Sequence, residues 1–210
     1  MTARRIGLLG GSFNPAHAGH RRITLAAINA LALDEAWWLV SPGNPLKAGA
    51  SDMAPFPARL ASARKAARRA PIRASDIEAR LGTRYTADTI RALIRLYPAA
   101  RFIWLMGSDN LAQFHRWRDW RGIARALPIA VIARPGYIAA AQRAPAMGWL
   151  RRRQRPARQA RCWTEWSLPA LVLLRFRPDP TSATLIRARD PAWHAGLAAL
   201  PNPALPAPQE

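Results

Sequence analysis

Apolar residues recur along this chain in two alternating rhythms. Residues 6–9 form a short apolar run ended by Gly10-Gly11, which predicts a buried strand delivered into a turn. Over residues 19–33 the apolar positions Ile23, Ala26, Ala27, Ala30 and Leu31 recur at helical spacing, so a helix follows at once. Residues 37–40 form a second run closed by Ser41-Pro42-Gly43, and residues 56–69 again place Ala and Leu at helical intervals. The pattern continues as a helix over 86–96, a strand over 102–106, a helix over 117–126 and a strand over 128–133. A strand over 170–175 and a short helix starting near Ser182, after the turn Pro178-Asp179-Pro180, complete it. Such alternation predicts an α/β fold, a Rossmann-like parallel sheet flanked by helices.

At 210 residues the chain holds one domain, expected over 1–190, followed by a Pro-rich tail over 191–210. Residues 139–161 interrupt the rhythm with Arg143, Arg151, Arg152, Arg153, Arg155, Arg158 and Arg161, and read as an exposed basic excursion. No internal repeat is visible.

Charge widens the choice of partners. A formal net charge of +20, from 32 basic and 12 acidic residues, attracts nucleotides, nucleic acid or an anionic surface. All basic residues except Lys47 and Lys65 are Arg, which a global codon bias explains as well as a polyanion site does. The single cysteine, Cys162, excludes an intrachain disulfide and suits a reducing compartment, with the cytoplasm as default. The apolar stretch after Arg4 and Arg5 is too short for a signal-peptide core, and no segment approaches the roughly 18 apolar residues that cross a bilayer.

The stretch Gly11-Ser12-Phe13-Asn14-Pro15-Ala16-His17-Ala18-Gly19-His20 carries the densest chemistry. Gly10 and Gly11 allow a tight turn and close approach of backbone to a ligand, while the following helix points its unpaired N–H groups at the same spot. His17 and His20 could donate to an anion there. A zinc site would need a third ligand that the sequence does not show; incidental surface histidines are the other alternative.

This stretch resembles the Gly-x-Phe-x-Pro-x-His-x-Gly-His motif of the nucleotidyltransferase superfamily. Residues 181–189 resemble its second motif, Ile-Ser-Ser-Thr-x-Ile-Arg, in Ser182, Thr184, Ile186 and Arg187, with Thr181 and Ala183 departing from it. Residues 85–93, with Arg84 where Ser is usual, residues 102–120 through Gly107, Asp109, Leu111 and Trp117, and residues 131–137 resemble blocks of the nicotinate-mononucleotide adenylyltransferases. The resemblance implies transfer of AMP from ATP to nicotinate mononucleotide, giving deamido-NAD and pyrophosphate. It also implies catalytic roles for His17, His20, Arg187 and Lys47, and ATP contacts from Gly10, Gly11, Phe13, His20, Gly107, Asp109, Ser182 and Arg187. Ser12, Thr86 and Trp117 would meet the mononucleotide, Thr86 through its backbone on the nicotinate carboxylate and Trp117 by stacking on the pyridine ring. Asn44 and Leu46 depart from the family's Pro and His around Lys47.

Magnesium is expected on the ATP phosphates, since the sequence shows no acidic cluster to cage it. A sibling transferase acting on nicotinamide mononucleotide or phosphopantetheine, and a basic nucleic-acid-binding module on the same fold, remain as alternatives at this stage. Self-association is left open; a membrane partner is not expected.

Overall fold

The computed structural model describes residues 3–43, 52–177, 181–197 and 205. Seven parallel strands form one sheet in the order β3-β2-β1-β4-β5-β7-β6. Its left half is β1 (Arg4–Gly11), β2 (Glu35–Val40) and β3 (Ile72–Ser75), linked by α1 (Ala18–Leu31) and α2 (Phe56–Ala67). From β3 the chain passes through α3 (Ile77–Arg80) and α4 (Thr86–Leu96) and crosses to β4 (Ala100–Gly107), on the other side of β1. Then come α5 (Ser108–Gln113), α6 (Trp120–Ala126), β5 (Ile129–Ile132), α7 (Ile138–Arg143), α8 (Pro145–Leu150), β6 (Gln154–Arg155), β7 (Leu171–Leu174) and α9 (Ala183–Arg189).

The inner strands are largely buried on both faces, which is why they read as continuous apolar runs, whereas β6 at the edge is polar and mostly exposed. Alternation within them still assigns each side chain to a layer. Ile6, Leu8, Trp37, Leu39, Phe102, Trp104 and Met106 join one core with α4, α6 and α8 residues such as Ile90, Leu93, Ile123 and Leu150. Leu9, Trp38, Val40, Ile103 and Leu105 join the other, with Ala27 and Leu31 of α1 and Leu60 and Ala63 of α2. Because the connections leave β1 in opposite directions toward β2 and β4, a crevice opens beyond the carboxyl ends of β1 and β4, where open α/β sheets bind their ligands. Gly11 ends one of these strands and Gly107 the other.

Residues 139–161 are more than an exposed excursion. Ala141, Ala146, Met147 and Leu150 are buried in the first core, and β6 extends the sheet. A 3₁₀ stretch, Ala157–Glu165, then docks Trp163 on the end of α1, its Nε1 donating to the Leu31 carbonyl at 3.0 Å. The Arg side chains of the segment are exposed except for half-buried Arg155, and Gln142, Gln154 and Gln159 are exposed beside them. Of the expected tail, residues 191–196 form turns and Leu205 packs into the first core.

Candidate active site

The loop from Ser12 to His17 fills the mouth of the crevice, and its turn is made differently from the expectation. β1 runs through Gly11, and the left-handed residue is Phe13, with φ 48°. Gly10 is needed for another reason: a Cβ there would stand 2.8 Å from the Trp104 ring. The Phe13 ring stacks on Trp38 at 5.0 Å, which holds this costly backbone in place.

His17 caps α1. Its Nδ1 accepts from the Gly19 N–H at 3.1 Å, while His20 Nδ1 accepts from the His17 N–H at 3.3 Å. An Nδ1 that accepts cannot carry the proton, so both rings take the Nε2–H tautomer. The ring centroids lie 3.9 Å apart. Burial pushes the His20 pKa down to about 3, with the His17 ring and the Arg134 charge adding to the effect. His20 is therefore a neutral donor at physiological pH. Its backbone is fixed as well, since its carbonyl accepts from Thr24 Oγ1 at 2.8 Å and that hydroxyl accepts from Trp38 Nε1 at 3.0 Å.

The second motif lies against the first. Ser182 caps α9 as expected, its Oγ accepting from the Leu185 N–H at 3.2 Å. A Cβ on Gly19 would stand 2.9 Å from the His17 ring and 3.2 Å from the Thr181 carbonyl, so glycine at this position lets the two motifs approach closely. Arg187 reaches the loop from the other side: NH1 donates to the Asn14 carbonyl at 2.6 Å and NH2 pairs with Asp52 at 2.8 Å. The guanidinium is thus held in an ion pair with an exposed carboxylate. Lys47 lies outside the described residues.

Gly107 caps α5 through its backbone, and Asp109 sits in the first turn, where it pairs with Arg134 at 3.0 Å. Arg134 is the nearest addition that sequence reasoning missed. Its backbone N–H bonds Ser108 Oγ at 2.9 Å, and its charge is felt by His20, linking the ends of β4 and β5 to the histidines.

On the other flank, Thr86 opens α4 without a side-chain cap at Tyr85, so the first N–H groups of that helix carry no capping side chain. Arg118 lies 4.6 Å over the Tyr85 ring. Trp117 packs edge-on against Trp104 at 6.3 Å and Phe114 at 5.4 Å. Because Trp104 also abuts Gly10, this indole stands one ring away from the end of β1. Behind α4 lies buried Glu78, its pKa raised to about 7 by burial against the opposing bond from Thr89. Among the described residues no group of three or more acidic, His or Cys side chains could hold a metal ion.

The two motifs that resemble those of the nucleotidyltransferases thus meet beside the switch point of a parallel sheet, His17 capping one helix and Ser182 another. The chain belongs to the cytidylyltransferase-like family, whose profile matches residues 8–189. The probable nicotinate-nucleotide adenylyltransferase of Erythrobacter litoralis is 62% identical over 90% of this chain and 86% of its own length. That of Parvibaculum lavamentivorans is 52% identical over 88% of this chain and 92% of its own. Among solved structures, Plasmodium falciparum nicotinic acid mononucleotide adenylyltransferase complexed with NaAD shares the fold, with TM-score 0.65 at 16% identity over 88% of this chain and 83% of that one.

Proposed function

We propose that the protein is a nicotinate-nucleotide adenylyltransferase, making deamido-NAD and pyrophosphate from ATP and nicotinate mononucleotide. The observation that carries the reading is the reciprocal cap of His17 and His20 at the start of α1, which occupies both Nδ1 atoms and so fixes both rings as Nε2–H tautomers. The choice of acceptor is supported by the relatives' names and by the uncapped start of α4 beside Trp117.

In this reading a 5′-phosphate oxygen of the mononucleotide attacks the α-phosphorus in line; the new O–Pα bond forms as the bond to the bridging oxygen breaks, and pyrophosphate leaves with that electron pair. The nucleophile is already an anion and needs no base. The chain supplies position and charge. His17 and His20 donate to the α-phosphate and its bridging oxygen. Ser182, Arg187 and Lys47 hold the β- and γ-phosphates, Arg187 exchanging Asp52 for them. Gly10, Gly11, Phe13, Gly107 and Asp109 line the ATP side, and Asp109 is suited to accept ribose hydroxyls. Ser12 meets the attacking phosphate, Thr86 the nicotinate carboxylate and Trp117 the pyridine face.

Magnesium fits as an ion carried on the ATP phosphates, because the donors at the site are histidine, serine and arginine rather than a carboxylate cage. It would neutralise phosphate charge there. No helix among the described residues is long and apolar enough to cross a membrane. The test follows α-labelled ATP: the label should pass into deamido-NAD, identified by mass, only when nicotinate mononucleotide is present. Label retained on the protein would contradict the direct transfer.

A further inference from the structure

Arg59, on α2, is 2% exposed, yet among the described residues every hydrogen bond of its guanidinium goes to a backbone carbonyl. Nε donates to Ala54 at 2.9 Å, NH1 to Ser12 and Ser41 at 2.7 Å each, and NH2 to Pro42 at 3.1 Å. No carboxylate among the described residues pairs with it, although buried arginines ordinarily have one. Ser12 and Ser41 are the first residues past the ends of β1 and β2. Carbonyls at those ends face the ligand crevice of a parallel sheet, where their negative oxygens oppose a polyphosphate. Arg59 draws them inward and leaves a positive charge behind the loop.

The same bond orients a donor. Across the Ser12–Phe13 peptide, which is trans, the carbonyl and the following N–H point in opposite directions. With the Ser12 carbonyl drawn into the interior, the Phe13 N–H is turned outward, and it donates to none of the described residues. α2 braces the loop at a second point, because Ser62 Oγ accepts from the Ala16 N–H at 3.1 Å while donating to the Arg59 carbonyl.

We propose that Arg59 is a positioning residue of the transfer, holding the Ser12–Phe13 peptide so that its N–H faces the reacting phosphates and cancelling the carbonyl charge behind them. This rests on the adenylyl-transfer reading. An arginine serving stability alone would lower activity only as far as it lowers the folded fraction.

The test compares wild type with Arg59→Lys and Arg59→Met by steady-state kinetics, circular dichroism and amide exchange of the segment 8–20. Misplaced donors cost rate, so Arg59→Lys should lower kcat by about 10²-fold while both KM values stay within about threefold. The unbonded, outward Phe13 amide of wild type should exchange fast and slow down in both variants as the released peptide turns over, and low concentrations of guanidinium should restore part of the kcat lost in Arg59→Met. The proposal is overturned if kcat falls only with the folded fraction, if the loss lies in KM, or if exchange at Phe13 is unchanged in either variant. Wild-type protein that releases no pyrophosphate would instead remove the reaction, whereas an active wild type with an unaffected Arg59→Lys removes only this role. The exchange measurement needs no turnover and reads the orientation in either case.

Discussion

His20 stays neutral because its surroundings disfavour a charge. Burial holds its pKa at about 3, against 6.5 for the unperturbed group. The folded state thus resists protonation, so the stability tied to this ring is present above pH 6.5 and lost as pH falls toward 3. Across pH 5–8 the rate should show no step from His20. Replacing it with Ala should lower kcat by about 10²–10³-fold, the usual cost of one transition-state donor, in a steady-state assay; near-wild-type turnover would remove its role. The residue type and spacing of His17 and His20 were legible in the chain, whereas their tautomers depend on Nδ1 contacts visible only in three dimensions. Arg59 and Arg134 were hidden for a different reason: where nearly every cation is Arg, one more in the run 56–69 or in the block 131–137 carries no signal. Asp109, expected from the resemblance to contact ATP, lies in the first turn of α5 with its carboxylate paired to Arg134.

Helices and strands that span several turns or bury both faces were plain in the pattern, as with α4, which runs over the expected residues, and β1. The short pieces β3, α3, α5 and β6 were not, because four to six residues or fewer cannot display a period. In residues 139–161 the density of Arg masked Ala141, Ala146, Met147 and Leu150, spaced to reach the core beneath. One of the short elements has a consequence for pH. Glu78 of α3 is buried behind α4, where Thr83 and Thr89 hydroxyls lie 2.8 Å apart and Thr89 donates to its carboxyl at 3.3 Å. Its pKa is raised from 4.5 to about 7, so the folded state holds this proton more tightly than the unfolded chain does. That contribution to stability is full below pH 4.5 and lost as pH rises through about 7. Glu78→Gln, which stays neutral, should therefore melt higher than wild type at pH 8, with the advantage shrinking toward pH 4.5. Equal melting shifts at both ends would contradict the buried, proton-holding carboxyl.

At the scale of the molecule, strand order decides where the chemistry happens. The alternating pattern implied a parallel sheet but could not say that β4 returns beside β1, and that return brings Gly107, Asp109 and Arg134 to the same crevice as the two histidines. The β1–α1 loop is then fastened from three directions: by Arg59 and Ser62 of α2, by Arg187 of α9, and by the Phe13 ring on Trp38 of β2. Net charge of +20 favours any anionic substrate and so does not choose the acceptor. In the proposed reading that choice falls to the flank formed by Thr86, Trp117 and Trp104, where helix N–H groups suit a carboxylate better than an amide. The direct measurement is kcat/KM for pyrophosphate release with nicotinate mononucleotide against nicotinamide mononucleotide at equal magnesium-ATP. The acid should be preferred by about 10²-fold or more. Equal use of the two, or preference for the amide, would contradict the account.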